Sequence, residues 1–286
     1  MSIVVTGATG QLGRLVIEYL IRAGVAPGEI IALGRSAERL ARFDGTGVRT
    51  AIASYDDPGS LDSALAGAEK VLLISSSEVG QRVRQHGNVI DAAVRAGVSH
   101  LVYTSAPHAD SSALILAPEH KATEELILAA DLPFTLLRNN WYTENYASAT
   151  EQAEATGNYV ASTGDGRVAS ASRTDYAEAA AVVLTTDGHD GAVYELSGDF
   201  AWNGHELADA MSDIAGERIA YLPVTSEEHA DLLKTAGLDE GAIGFVVGLD
   251  ANIRDGLLGD ATTDLHTLLG RATTPLVEGL RAALDR

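Results

Sequence analysis

A glycine-rich segment near the N-terminus constrains the fold of this chain more than any other sequence feature. Thr6-Gly7-Ala8-Thr9-Gly10-Gln11-Leu12-Gly13 follows an apolar run and opens a segment with helical periodicity. In a strand–turn–helix unit, Gly7 permits a tight turn, Gly10 lets the backbone approach a pyrophosphate, and Gly13 lets the helix pack close to the strand. The free N–H groups at the start of that helix favour an anion. The segment therefore predicts a dinucleotide-binding unit rather than a plain bend.

The pattern of apolar residues extends this unit into an α/β domain. Predicted strands lie at 2–6, 29–34, 48–53, 70–75, 99–105 and 133–138, and predicted helices at 11–23, 58–66, 79–96 and 118–130. Strands that alternate with helices predict right-handed crossovers and a doubly wound parallel Rossmann sheet.

The alternation loosens after about residue 140. A helix near 174–186 and a strand at 193–196 are predicted, and the chain is mainly helical from about 200. We therefore expect a Rossmann domain over 1–197, with 140–170 contributing to the substrate cleft. A smaller, mainly helical C-terminal domain on the substrate side is expected over 198–286.

Charge and composition exclude several classes of function. The net charge of −20 repels phosphate backbones and anionic lipid headgroups, so neither nucleic acid nor a membrane is expected as a partner. The chain has no cysteine, and its eight histidines show no HExxH spacing, so no metal is expected. No signal peptide or membrane segment is recognised, and we expect a cytoplasmic protein.

The end of the second predicted strand bears on the choice of cofactor. Arg35 lies about 20 residues past the glycine loop, where NAD enzymes usually keep an acidic residue for the ribose 2′-hydroxyl. A guanidinium suits a 2′-phosphate, and Arg39 is placed one helical turn further on. The position therefore favours NADP over NAD.

The chain lacks the usual proton relay for alcohol–ketone chemistry. None of its nine tyrosines has a lysine four residues later, and Ala117 stands four residues before Lys121, on the helix where such a lysine is expected. Reduction of a quinone or a cationic dye needs no such relay, because water can protonate the delocalised product. Proximity and orientation can then supply most of the catalysis.

The sequence resembles the NmrA-like atypical short-chain dehydrogenases, and most closely the type 2 NAD(P)H:quinone oxidoreductases among them. The similarity runs along nearly the whole chain, and the serine-rich stretch is its most specific part. The matching stretches are the glycine loop at 6–13, Leu73-Ile74-Ser75-Ser76-Ser77-Glu78-Val79-Gly80-Gln81-Arg82 with Gln85-His86, Leu136-Leu137-Arg138-Asn139-Asn140-Trp141-Tyr142-Thr143-Glu144-Asn145-Tyr146, and Gly164-Asp165-Gly166 with Ser172-Arg173 and Asp175.

The resemblance implies roles for individual residues. The pyrophosphate would be held by Gly7, Ala8, Thr9, Gly10, Gln11 and Leu12, beside Gly13, and the 2′-phosphate by Arg35. The remaining cofactor contacts would come from Ser75, Ser76, Ser77, Asn139, Asn140, Trp141, Tyr142 and Arg173. Catalytic candidates are Asn145, which would position the quinone or nicotinamide, and Tyr142 and Lys121. Trp141, Tyr142 and Tyr146 have core packing as an alternative.

These observations lead us to expect an NADPH-dependent quinone oxidoreductase that transfers hydride to a small-molecule acceptor. Two alternatives stay open: an NADP(H)-binding redox sensor without turnover, and a triphenylmethane- or azo-dye reductase. His108 and His120 lie near the expected site and are interpreted as surface residues. The oligomeric state is left open, with a homodimer as the candidate.

Overall fold

The computed structural model describes residues 2–285, in which nine strands form two sheets. The strands are β1 (Ile3–Val5), β2 (Ile30–Gly34), β3 (Arg49–Ile52), β4 (Lys70–Leu73), β5 (His100–Ser105), β6 (Phe134–Asn139), β7 (Asn158–Ala161), β8 (Ala192–Leu196) and β9 (Ala220–Pro223). Each strand predicted before residue 140, and the one at 193–196, is present with its ends shifted by at most two residues.

The helices of the described residues cover the large sheet and build most of the C-terminal part. They are α1 (Gln11–Arg22), α2 (Ala37–Leu40), α3 (Pro58–Leu65), α4 (Arg82–Ala96), α5 (Ala117–Ala129), α6 (Ala147–Thr156), α7 (Arg173–Thr185), α8 (Gly204–Ala215), α9 (Ser226–Thr235), α10 (Glu240–Arg254), α11 (Asp264–Leu269) and α12 (Leu276–Ala283). No helix within 2–285 combines the length and apolar character needed to cross a bilayer.

The large sheet is parallel throughout and has the strand order β3-β2-β1-β4-β5-β6-β8. Its central strands are buried on both faces, as parallel sheets require. One face packs against α1, α7 and α11, and the other against α3, α4 and α5. The predicted fold class, a doubly wound Rossmann sheet followed by a smaller, mainly helical part, is confirmed.

The strand order reverses between β1 and β4, and this reversal positions the site. β1 pairs with β2 on one side and β4 on the other, so the crossovers leave in opposite directions. The loops after these strands therefore separate at the carboxyl edge and open a crevice, which is where ligands bind in open α/β sheets.

The sequence did not predict the second sheet, in which β7 pairs in parallel with β9. Around it, α6, α8 and α12 enclose a third apolar cluster that contains Tyr146 and Trp202 in edge-to-face contact. The chain enters this region at β7, returns to the large sheet at β8, and enters it again afterwards. The proposed domain boundary at 197/198 stays a prediction, and its outer limits, residues 1 and 286, lie outside the described residues.

Candidate dinucleotide and acceptor site

Two cavities open at the carboxyl edge of the large sheet and share a wall. The first, here called the glycine-loop groove, has a volume of about 300 Å³. It is lined by Gly7, Thr9, Gly10, Leu33, Gly34, Arg35, Arg39, Ala53, Ser54, Tyr55, Asp56, Ile74, Ser75, Ser76, Ser77, Glu78 and Gln85.

The glycine loop has the backbone geometry that its sequence predicted. Gly7 has φ +57°, a left-handed conformation that favours glycine. A Cβ on Gly13 would lie 2.5 Å from the carbonyl oxygen of Gly7 and 2.8 Å from Cα of Ala8, so a side chain there would push α1 away from the loop. Gly10 precedes α1 in extended conformation, and no side chain caps the N-terminal N–H groups of this helix. These groups are therefore free to bind an anion.

The other members of the loop contribute backbone rather than side chains. Ala8 and Leu12 are buried in the core, and the N–H of Ala8 donates to the carbonyl oxygen of Leu33. Gln11 is exposed at the start of α1. None of these three side chains lines the groove, in contrast to that of Thr9.

Arg35 lies at the mouth of the groove in an ion pair with Glu78. Its Nη1 is 2.7 Å from Glu78 Oε1, and the two side chains are 68% and 41% exposed. The other carboxylate oxygen of Glu78 accepts a hydrogen bond from Gln85 Nε2 at 2.9 Å. The hydrogen bonds from Gln85 and Arg35 lower the pKa of Glu78, so it stays ionised. A 2′-phosphate would therefore compete with a carboxylate for Arg35, whereas Arg39 also lines the groove without such a partner in the described residues.

A buried network fixes the serine-rich loop that follows β4. The Ser76 N–H donates to His86 Nε2 at 2.9 Å, and its hydroxyl donates to Gln85 Oε1 at 2.7 Å. Arg82 Nε donates to the carbonyl oxygen of Ser76 at 2.6 Å. Burial lowers the pKa of His86 to about 3, and the charge of Arg82 acts in the same direction. A neutral His86 can accept the Ser76 hydrogen bond at all ordinary pH values, so the loop is held rigidly.

The second cavity, here called the aromatic cavity, has a volume of about 490 Å³ and meets the groove at Ser75 and Ser77. Its walls come from the loops after β4, β5 and β6 and from the C-terminal part. It is lined by Ser75, Ser77, Val79, Arg82, Ser105, Ala106, Pro107, Leu114, Leu116, His120, Asn139, Asn140, Trp141, Tyr142, Asn145, Arg173, Phe245 and Leu258.

The two asparagines at the end of β6 differ in whether their side-chain atoms all have hydrogen-bond partners. Asn140 uses its side chain within the protein, since Nδ2 donates to the carbonyl oxygen of Leu258 and Oδ1 accepts from the Trp141 N–H. Asn139 donates from Nδ2 to the Tyr142 hydroxyl at 3.3 Å, but its buried Oδ1 has no partner. Buried acceptors without partners are rare, so Asn139 Oδ1 is an unsatisfied acceptor at the end of β6.

Asn145, Arg173 and Tyr142 form one connected group at the cavity wall. Arg173 Nη2 donates to Asn145 Oδ1 at 2.7 Å, which turns the Asn145 amide so that Nδ2 stays a free donor. The Arg173 guanidinium lies 4.8 Å from the centre of the Tyr142 ring, and Tyr142 packs edge-to-face on Tyr176. Burial raises the pKa of Tyr142.

The structure corrects two expectations for α5. His120 is buried, lines the aromatic cavity and pairs through Nδ1 with the Tyr103 hydroxyl at 2.8 Å, so its interpretation as a surface residue is wrong. Lys121 is exposed and lines neither cavity. Successive helix residues point about 100° apart, so the rotation that turns His120 inward turns Lys121 outward. The structure thus places Lys121 away from the other catalytic candidates, and its catalytic role stays an untested prediction.

Several lining residues were not predicted from the sequence, among them Tyr55 and Phe245. Tyr55 follows β3, and its hydroxyl bonds with Thr6 Oγ1 and donates to the carbonyl oxygen of Ile74. Its position after a parallel strand was a usable signal, because the carboxyl ends of such strands share one edge. Phe245 lies on α10, far along the chain from the loops after β4, β5 and β6, and no sequence pattern indicates its position. Within 2–285 no cluster of three or more His, Asp or Glu side chains could hold a metal ion.

Comparison with known proteins gives consistent matches over the whole chain. The model of the NAD(P)H-binding family matches residues 7–187. Quinone oxidoreductase 2 of Escherichia coli (strain K12) is 44% identical over 278 residues, which cover 97% of this chain and 97% of that protein.

Two solved structures extend these similarities to three dimensions. The E. coli NADPH-dependent quinone oxidoreductase complexed with NADPH is 43% identical, with a TM-score of 0.94 and coverage of 98% of this chain and 99% of that one. The Citrobacter sp. triphenylmethane reductase complexed with NADP(H) is 38% identical, with a TM-score of 0.92 and coverage of 99% and 100%.

Proposed function

This chain belongs to the NAD(P)H-binding family, and from that premise we propose that it is an NADPH-dependent quinone oxidoreductase. The observation that carries the proposal is that the glycine-loop groove and the aromatic cavity share Ser75 and Ser77. A dinucleotide that fills the groove as far as these serines borders the cavity in which an acceptor can lie. The similarity to the E. coli quinone oxidoreductase supports the same activity.

The chain's own residues fit NADPH. The uncapped N-terminus of α1 and the close approach at Gly10 suit the pyrophosphate, and the two arginines of the groove suit the 2′-phosphate. At the other end, Asn139 Oδ1 is a buried acceptor that lacks a donor, such as a carboxamide N–H supplies. We propose these contacts for the cofactor, together with those of the serine-rich loop.

The aromatic cavity suits an acceptor that needs no protein acid. When bound, NADPH supplies a hydride, and the two-electron reduction of a quinone then requires one proton. His120 cannot supply it, because burial lowers its pKa to about 3, and Tyr142 holds its proton tightly. The product anion is delocalised and takes its proton from water. Trp141, Tyr142 and Phe245 can hold a planar ring, while Asn145 Nδ2 and the Arg173 charge stabilise negative charge on a quinone oxygen.

A triphenylmethane dye is the second candidate acceptor. A cationic dye takes up a hydride directly and needs no acid, and the chain's net charge of −20 attracts cations. The 38% identity to the Citrobacter triphenylmethane reductase supports this alternative.

Steady-state NADPH oxidation separates these possibilities. We expect turnover with menadione and 1,4-benzoquinone to exceed turnover with malachite green, measured at equal acceptor concentrations. We also expect kcat with quinones to be nearly constant between pH 5.5 and 8, because neither His86 nor His120 titrates there in the folded protein. NADPH binding without oxidation by any acceptor would support the redox sensor instead, and a dominant dye activity would support the dye reductase.

The cytoplasmic location and the homodimer stay predictions. Sedimentation equilibrium of the purified protein, with and without NADPH, decides between a monomer and a dimer.

A further inference from the structure

A third cavity lies in the C-terminal part, away from the site described above. This distal cavity has a volume of about 290 Å³ and shares no residue with the groove or the aromatic cavity. It lies between α6, the β7–β9 sheet and α9. It is lined by Ala149, Gln152, Thr156, Asn158, Tyr159, Val160, Leu222, His229, Leu232, Leu233 and Ala236.

A buried histidine in the wall of this cavity is fixed in orientation. His229 is 7% exposed, and its Nδ1 lies 2.9 Å from Asp250 Oδ2 on α10. The same carboxylate oxygen accepts hydrogen bonds from the N–H and the hydroxyl of Ser162. Because Asp250 Oδ2 already accepts from Ser162, the hydrogen at the shared contact is assigned to His229 Nδ1, which donates to Asp250.

This arrangement leaves a polar atom without a protein partner at the cavity. His229 Nε2 forms no hydrogen bond with any residue in 2–285, and it is not sealed from solvent as Asn139 Oδ1 is. In the neutral ring with the proton on Nδ1, Nε2 is an acceptor. Tyr159 also lines the cavity, and its hydroxyl forms no hydrogen bond with another residue in the described part of the chain. Burial raises its pKa, so it remains a donor.

The rest of the cavity is uncharged and mostly apolar, with Gln152, Thr156 and Asn158 as its other polar residues. Its lining within 2–285 includes six Ala, Val and Leu residues and no Asp, Glu, Lys or Arg. Leu222 and Leu232 at its rim are 44% and 50% exposed, which leaves apolar surface in water. Burying that surface favours an apolar ligand, and the absence of charged partners disfavours an ionised one.

We propose that the distal cavity is a second ligand site, which binds a small neutral aromatic molecule carrying a hydroxyl group. The hydroxyl donates to His229 Nε2, and Tyr159 lines the same cavity. The ring packs against the leucine side chains. A cavity of about 150 Å³ already holds benzene, so the distal cavity has room for one or two rings.

Phenol and toluene are matched probes, because they have nearly the same size and differ in the hydroxyl group. We expect phenol to bind about threefold to tenfold more tightly than toluene, as one added hydrogen bond implies. The local readout is the ¹⁵N resonance of His229 Nε2, which should move with phenol and stay in place with toluene. An unmoved resonance, or equal affinity for the two probes, would show that the cavity holds only water or binds rings without recognition.

A space-filling variant tests the location. Leu232→Trp fills the rim at a half-exposed position, so the fold should survive, and its phenol affinity should fall at least about tenfold. Leu128→Trp, at a 59% exposed leucine on α5 remote from the distal cavity, is the control and should bind phenol as the parent protein does. Unchanged phenol binding by a folded Leu232→Trp variant would overturn the proposal. NADPH oxidation by both variants, measured without phenol, should equal that of the parent protein. Failure of the proposed enzyme activity can therefore be distinguished from failure of the second ligand site.

Discussion

At the scale of single residues, Arg35 pairs with the carboxylate of Glu78 and is also the residue that we propose for the 2′-phosphate of the cofactor. The ion pair is exposed, so its intrinsic strength is small, but it holds the guanidinium 2.7 Å from an acceptor that a phosphate must displace. If Arg35 binds the 2′-phosphate as proposed, cofactor preference depends on Glu78 as well as on the arginine.

Arg35→Ala should weaken NADPH binding by about tenfold to a hundredfold, because a charge-assisted contact to the 2′-phosphate is lost. NADH lacks that phosphate, and its affinity should change little. Glu78→Gln is the matched variant, and its effect on NADPH affinity should be opposite. The substitution keeps the shape of the side chain but removes the charge that competes for Arg35, so NADPH binding should tighten about threefold. Calorimetric titration with both cofactors measures these changes, and equal losses for NADPH and NADH in Arg35→Ala would show that Arg35 does not read the phosphate.

A second prediction at the scale of single residues concerns the proposed role of Asn145 in catalysis. Its Oδ1 is held by Arg173, and no side chain caps α6, so a helix-capping role for Asn145 is not observed. Asn145→Ala should lower quinone turnover by about tenfold to a hundredfold, less than for a fully buried donor because the residue is exposed. NADPH affinity and the melting temperature should stay near those of the parent. Normal turnover would remove Asn145 from the mechanism.

At the scale of elements, we expect two glycines of the turn between β1 and α1 to have different roles, Gly10 in cofactor binding and Gly13 in folding. Gly10 has φ −80°, which any residue adopts, and a Cβ there would lie 3.2 Å from the Gly7 carbonyl oxygen, whereas a Cβ on Gly13 would lie only 2.5 Å from the same atom. The two glycines therefore serve different purposes in the same motif.

Gly10→Val should abolish measurable NADPH binding while the melting temperature falls only slightly, because the added side chain occupies the approach of the pyrophosphate. Gly13→Val should instead destabilise the fold, because its Cβ alone would lie 2.5 Å from the Gly7 carbonyl oxygen. Thermal unfolding and calorimetry on both variants provide the comparison. A folded Gly10→Val protein that binds NADPH normally would make the loop a purely structural turn.

The elements that the sequence predicted are those with strong local signals. The apolar runs of β1 to β6 are bounded by turns and separated by amphipathic helices, so periodicity was sufficient to place them. β7 and β9 have only four residues each, and their pairing joins distant parts of the chain, so local pattern does not reveal it. The burial of His120 depends in the same way on tertiary packing, which the sequence of α5 alone does not specify.

At the scale of the whole molecule, two buried neutral histidines tie stability to pH. Burial holds the pKa of His86 and of His120 at about 3 in the folded protein, against about 6.5 in an unfolded chain. Below pH 6.5 the unfolded chain binds two protons that the folded protein does not, so stability is full above that pH and is lost as the pH falls toward 3.

The free energy of unfolding should therefore decrease between pH 6 and 4.5, by about 1.4 kcal/mol per pH unit for each of these histidines. Urea unfolding at several pH values measures this slope. His120→Gln removes one of the two groups and should reduce the slope by about 1.4 kcal/mol per pH unit relative to the parent protein. Parallel pH dependences for variant and parent would contradict the buried neutral state of His120.

Because the chain runs through the C-terminal part in two separate stretches, β7 is synthesised well before β9, the strand with which it pairs. A ribosome delivers β9 roughly 60 residues after β7, which at about 5–20 residues per second is a wait of about 3–12 s. During that wait β8 emerges and can complete the large sheet, while β7 remains an open edge with Tyr159 and Val160 unshielded. A nascent chain that stalls in this interval has a nearly complete nucleotide-binding sheet and an unpaired, aggregation-prone strand. Chaperone binding should therefore matter most at this stage of synthesis.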